Sequence, residues 1–265
     1  VGDCMSKIRH FFYDVIWKNI LKFYLFIKRF FKDKVFASYK NTILFTIALL
    51  GISLLLIQSY IMIFNRSVYN NNSDDILQYY VILNGFIRSI KDGSLTFFDL
   101  NNYFGASIFS NLYYVPLDIF TLVTLIFSLV VPTVIAISLT EMVKIIAGVV
   151  LMMIYLALKK YKTRTIFWVG LIYFVNGGTV SFMNFPAFLT MTVYLPLALI
   201  VIHYFFEKKY FVVPLYVVLI IFYNFYLAYM LLAFISFAFI IEYFKFNQFK
   251  IKSFILNGIG FLGLL

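Results

Sequence analysis

Residues 41–64 read NTILFTIALLGISLLLIQSYIMIF, an uncharged run of 24 residues. As an α-helix rising 1.5 Å per residue it extends about 36 Å, enough to cross a hydrocarbon core of about 30 Å. The rest of the chain has the same character. Of 265 residues, 63% are hydrophobic and only 12% charged, against about 25% charged in a soluble domain. With 34 Phe and 21 Tyr and a mean hydropathy of +0.95, a soluble globule of this size lacks the polar groups to cover itself. Soluble enzyme, disordered chain and nucleic-acid module are excluded. The expected fold class is all-α: a polytopic transmembrane helical bundle.

Helices rather than a barrel are expected because the apolar runs lack the period-two alternation of barrel strands. The net charge of +11 sits in short Lys and Arg clusters between apolar runs, as topology signals do. One cysteine, Cys4, makes no disulfide within the chain, and His10 and His203 form no ligand pattern.

Working outward from 41–64, residues 1–40 hold nine Lys or Arg and three Asp, which marks this end as cytoplasmic. Their apolar positions recur at helical spacing with interleaved Lys and Arg. Residues 1–40 therefore read as a basic amphipathic helix in the cytoplasmic interface, or packed on its own protein. Residues 41–265 form the transmembrane domain, in part, with residues 65–118 as its first outer loop. The first Met is Met5 and the chain stops inside an apolar run; the expectation is an N-terminal piece of a larger protein.

In the loop, Asn70-Asn71-Asn72 is followed by Ser73, a good N-cap, and by Asp74 and Asp75 where a helix dipole favours carboxylates. Tyr80, Leu83, Ile87 and Ile90 continue an amphipathic face to the turn at Lys91-Asp92-Gly93-Ser94, a helix along the outer surface. Residues 100–105 read as an irregular loop. Residues 133–158 run to Lys159-Lys160-Tyr161-Lys162-Thr163-Arg164, a cytoplasmic cluster. Parity then requires that 117–131 not span, so it is expected as a juxtamembrane or re-entrant helix ended by Pro132. Beyond it, 165–176 goes out, 185–206 returns, 211–222 goes out, and 225–241 returns to a basic stretch. The two outward runs are about 18 Å long and need flanking residues or a thinned bilayer.

P-loop, GxSxG and metal boxes are absent from the sequence. The strongest chemical candidates are Asp74 and Asp75. A carboxylate there serves as general base toward a hydroxyl, holds a divalent cation, or merely stabilises a helix start. Glu141 and Lys144, three apart on one face of 133–158, are costly in lipid. They pair, line a polar cavity, or in the case of Lys144 hold an anionic head group. Asn184, Asn224, Tyr226 and Tyr229 lie near outer ends, where they line a groove or simply mark the interface.

The run Asp74-Asp75-Ile76-Leu77-Gln78-Tyr79 resembles the Asp-x-x-x-Gln-Tyr motif after the first span of the bacterial YfhO family. Residues 90–98, IKDGSLTFF, and 102–114, NYFGASIFSNLYY, are similar to its next loop segments. Lys144 falls where that family has a Leu-Lys pair, and Asn224-Phe225-Tyr226-Leu227-Ala228-Tyr229-Met230 resembles a later motif. The family's Gly-x-Gly is reduced to Gly105, and a second acid, Asp75, follows the first.

The resemblance implies a GT-C-like bundle with juxtamembrane helices in the first outer loop. It implies a glycosyltransferase dependent on polyprenyl-phosphate sugars in the bacterial plasma membrane. The sugar passes on the outer face to a cell-envelope polymer, with teichoic or lipoteichoic acid as the acceptor class. Asp74 then acts as base, with Asp75 assisting it or binding a divalent cation. Lys144 or Arg88 supports the phosphate, and Gln78, Tyr79 and Asn102 hydrogen-bond sugar or acceptor. Nucleic acid is not an expected partner; the lipid bilayer, the polyprenyl-phosphate sugar and the acceptor polymer are. The competing classes are a lipid or polysaccharide transporter or flippase, with Glu141 and Lys144 lining the path, and a non-catalytic scaffold.

Overall fold

A computed structural model describes residues 18–64, 80–94, 98–99, 106–107, 119–176, 186–246 and 251–263. In chain order the helices are α1 (Lys18–Phe30), α2 (Tyr39–Phe64), α3 (Val81–Lys91), α4 (Ile119–Phe127), α5 (Thr133–Leu158), α6 (Thr163–Phe174), α7 (Pro186–Leu189), α8 (Met191–Phe206), α9 (Val212–Tyr223), α10 (Phe225–Phe246) and α11 (Ile251–Leu262). The protein is an all-α membrane helical bundle. A two-residue antiparallel bridge, β1 (Phe98–Asp99) with β2 (Ala106–Ser107), pairs Phe98 with Ser107 and Asp99 with Ala106. It flanks residues 100–105 and leaves the class unchanged.

Among the described residues three helices are long and apolar enough to cross a bilayer: Tyr39–Ile61, Thr133–Leu158 and Leu227–Lys245. Each begins or ends for a local reason. The Ser38 hydroxyl accepts the Asn41 N–H at 3.1 Å, capping α2. Thr42 ties that start to a π-turn (Phe31–Val35) by donating to the Val35 carbonyl at 2.8 Å. Pro132 has no N–H to leave unpaired and precedes the first turn of α5. α5 and α8 stop in the same way. Lys160 and Lys208 take left-handed backbone, with φ of 59° and 65°. The next N–H then reaches back to the carbonyl of Leu156 (3.1 Å) or Tyr204 (3.0 Å), the Schellman arrangement that Gly usually supplies.

α5 is the hub, packed against α2, α3, α4, α6 and α8. Its closest approach is to α8, where a Cβ on Gly148 would stand 2.6 Å from the Thr192 carbonyl oxygen. The same carbonyl accepts the Tyr173 hydroxyl of α6 at 2.7 Å, so one backbone oxygen joins three helices. A second core lies among α8, α9, α10 and α11, built on Tyr194, Tyr216, Tyr223 and Tyr243 with Phe205, Phe239 and Phe261. Phe239 and Phe261 stack at 4.4 Å. On the outside, Leu44, Ile52, Leu56 and Ile63 of α2 are exposed, as a lipid-facing helix requires.

The ends of the helices sort by charge. Thr163 at the start of α6 donates to the Phe36 carbonyl just before α2, at 3.1 Å. Lys159 at the end of α5 meets Glu242 near the end of α10 at 2.6 Å. Glu207, capping α8, holds His203 at 3.2 Å and Lys209 at 3.0 Å, and the Lys209 ammonium keeps its carboxyl below the usual range. The clusters at 159–164, 208–209 and 245 therefore share one end of the bundle with the start of α2. This is the arrangement the alternation of runs requires. Within 117–131, α4 has nine residues, about 14 Å of rise, and packs back on α5 through the turn at 128–132.

Candidate functional site around Lys144

The site is organised by the α4–α5 hairpin. The two helices run antiparallel with Thr and Ser on the shared face. The Thr124 hydroxyl donates to Thr140 Oγ1 at 2.9 Å, and Thr140 donates to the Ala136 carbonyl at 2.9 Å. One turn further along α5 and one turn earlier along α4, Lys144 Nζ stands 5.6 Å from the Phe120 ring centroid. Lys144 is 2% exposed. It lies about 17 Å of rise from the first residue of α5, near the middle of a 26-residue helix.

This placement is chemically specific. A cation so deep in a span is expensive unless other groups support it. Phe120 offers its ring face, and buried Thr121 and Thr124 lie on the same helix. The N-terminus of α4, the positive end of its dipole, lies at the level of Lys144. Glu141, three residues earlier on α5, is half-buried beside it.

Near its turn the hairpin is covered by α3. Leu83 and Ile87 are buried against Ile137, with Leu125 and Val134 alongside, and Lys91 Nζ donates to the Ser128 carbonyl. This is the amphipathic face expected of that helix. Arg88 is on its other side, 79% exposed and paired with Asp92 at 3.6 Å. α3 meets α5 at Val134 and Ile137, about 10 Å of rise short of Lys144. Lys144 thus lies buried in the hairpin, whereas Arg88 is held at the surface. Asp74, Asp75, Gln78, Tyr79 and Asn102 lie outside the described residues, as do Asn184 and the side chain of Tyr226. Asn224 is buried and its Oδ1 accepts the Leu227 N–H at 3.0 Å, an N-cap for α10. Tyr229 is exposed. Among the described residues no three His, Cys, Asp or Glu side chains gather to hold a metal.

One polar group escapes the sequence reading. Glu242 accepts from Lys159 at 2.6 Å through Oε2 and from the Tyr155 hydroxyl at 3.0 Å through Oε1. Lys159 also lies 5.6 Å above the Tyr155 ring. The signal is an acid at the end of an apolar run, hidden because the run 225–241 closes one residue before it.

The fold defines a helical-bundle membrane protein with a buried cation beside a short helix. Residues 43–265 match the family described as bacterial membrane protein YfhO. The chain belongs to that family. No curated protein and no solved structure matches the chain.

Proposed function

We propose that the protein is a membrane glycosyltransferase of the GT-C type. It moves a sugar from a polyprenyl-phosphate donor to a hydroxyl of a cell-envelope polymer, with lipoteichoic acid as the acceptor class. Family membership supports the class, and the observation that carries the reading is Lys144, a cation buried mid-span beside the Phe120 ring. The basic end is assigned to the cytoplasm and the α3–α4 end to the outer face of the plasma membrane. Residues 1–40 are assigned to a cytoplasmic interfacial segment and 41–265 to the transmembrane domain.

In the reaction, the acceptor hydroxyl oxygen attacks the anomeric carbon. The bond from that carbon to the donor phosphate oxygen breaks, and its electron pair leaves with the phosphate. Asp74 takes the acceptor proton. Lys144 stabilises the charge that develops on the leaving phosphate. Gln78, Tyr79 and Asn102 orient sugar or acceptor, and Asp75 assists Asp74 or holds a divalent cation. Asp74→Asn in full-length protein, assayed with defined polyprenyl-phosphate sugars with and without chelator, tests this. Loss of transfer with normal membrane insertion is expected; wild-type transfer removes Asp74 from the mechanism. The depth of Lys144 also suits a second reading, a lipid flippase whose path it lines.

A further inference from the structure

α1 is a helix of 13 residues, none of them buried. At about 100° per residue, Lys18, Lys22 and Arg29 fall on one stripe, and Ile20, Phe23 and Ile27 fall on the opposite one. Phe23 is 65% exposed. In water such an apolar stripe is an association surface. Across the bilayer it fails: about 20 Å of helix with a cationic stripe is too short and too charged to span.

Its attachment fixes its level. Phe30 and Phe31 lie 6.4 and 5.4 Å from Phe45, and Phe31 lies 6.3 Å from Phe167. Phe45 stands six residues inside α2, and Phe167 is in the second turn of α6. α1 therefore leaves the bundle at the basic end, where α2 and α6 begin. A helix with one apolar and one cationic stripe, tied at that depth, matches a surface of anionic head groups above acyl chains.

We propose that α1 binds the anionic phospholipid surface of the bilayer that holds the bundle, its apolar stripe among acyl chains and its Lys/Arg stripe at the phosphates. Each cation near such a surface strengthens binding about fivefold. The proposal does not depend on the catalytic reading. Spin labels placed by Phe23→Cys or Lys22→Cys in a Cys4→Ser background of the full chain, in nanodiscs with and without phosphatidylglycerol, test it. With phosphatidylglycerol the label at 23 should collide mainly with oxygen and the label at 22 mainly with a water-soluble nickel chelate. Without it, the depth of position 23 should decrease. In the triple variant Lys18→Glu, Lys22→Glu, Arg29→Glu (label at 23), the response to phosphatidylglycerol should be lost. Equal nickel access at both positions in both lipids overturns the proposal. So does protection of position 23 from both reagents regardless of lipid, which would place the stripe against protein or a second copy.

Discussion

Replacing Glu242 by Gln tests the contact that joins α5 to α10. In the folded chain Lys159 Nζ and Glu242 Oε2 are 2.6 Å apart, with side chains 11% and 9% exposed. At an effective dielectric of about 20 the gross attraction at this distance is about 6 kcal/mol. Most of it offsets desolvation of the two ions, so the pair's net worth is far smaller. Breaking it is a different matter. The amide would keep the volume and a hydrogen bond to Tyr155 but would deprive the nearly buried Lys159 ammonium of this carboxylate. Removing one partner of such a pair costs about 3–5 kcal/mol; with about a tenth of each side chain still exposed, the lower figure applies. A loss of about 3 kcal/mol is a shift of more than a hundredfold in the unfolding equilibrium. Unfolding in mixed detergent micelles, followed by helicity, reads it out. The double variant Lys159→Met, Glu242→Met should lose less than Glu242→Gln alone, because no buried charge is stranded. A Glu242→Gln protein within about 0.5 kcal/mol of wild type, or strictly additive costs, would refute the reasoning.

Gly148→Ala places a methyl 2.6 Å from the Thr192 carbonyl; the backbone must move, at a cost of about 1–3 kcal/mol in the same unfolding assay. Lys160→Gly and Lys208→Gly relieve left-handed backbone, and each should raise stability by about 0.5–1 kcal/mol. Lys144→Met should leave folding intact while transfer falls about 10²–10³-fold, the usual effect of removing one donor aimed at a developing anion.

Much of the fold is legible in the sequence because lipid makes charge conspicuous. The uncharged run at 41–64 and the run that ends at the cluster 159–164 set the first spans, and the turn at 128–132 packs α4 back on the second of them. Lys144 is legible for the same reason, as a charge where charge is costly. Other features depend on partners that no local pattern names. Gly148 is one glycine among twelve, and only the Thr192 carbonyl against it shows why the helices close there. The caps at Lys160 and Lys208 are hidden because lysine, not glycine, occupies them. Glu242 sits at the edge of a basic stretch and reads as interface, until α5 brings Lys159 and Tyr155 to it.

The most direct test of the catalytic reading is to follow both products at once in proteoliposomes of the full-length protein supplied with a labelled polyprenyl-phosphate sugar and acceptor polymer. The expected result is one free polyprenyl phosphate per glycoside formed, lost together in Asp74→Asn. Movement of intact lipid-linked sugar between leaflets, with no phosphate–sugar bond broken, would contradict it.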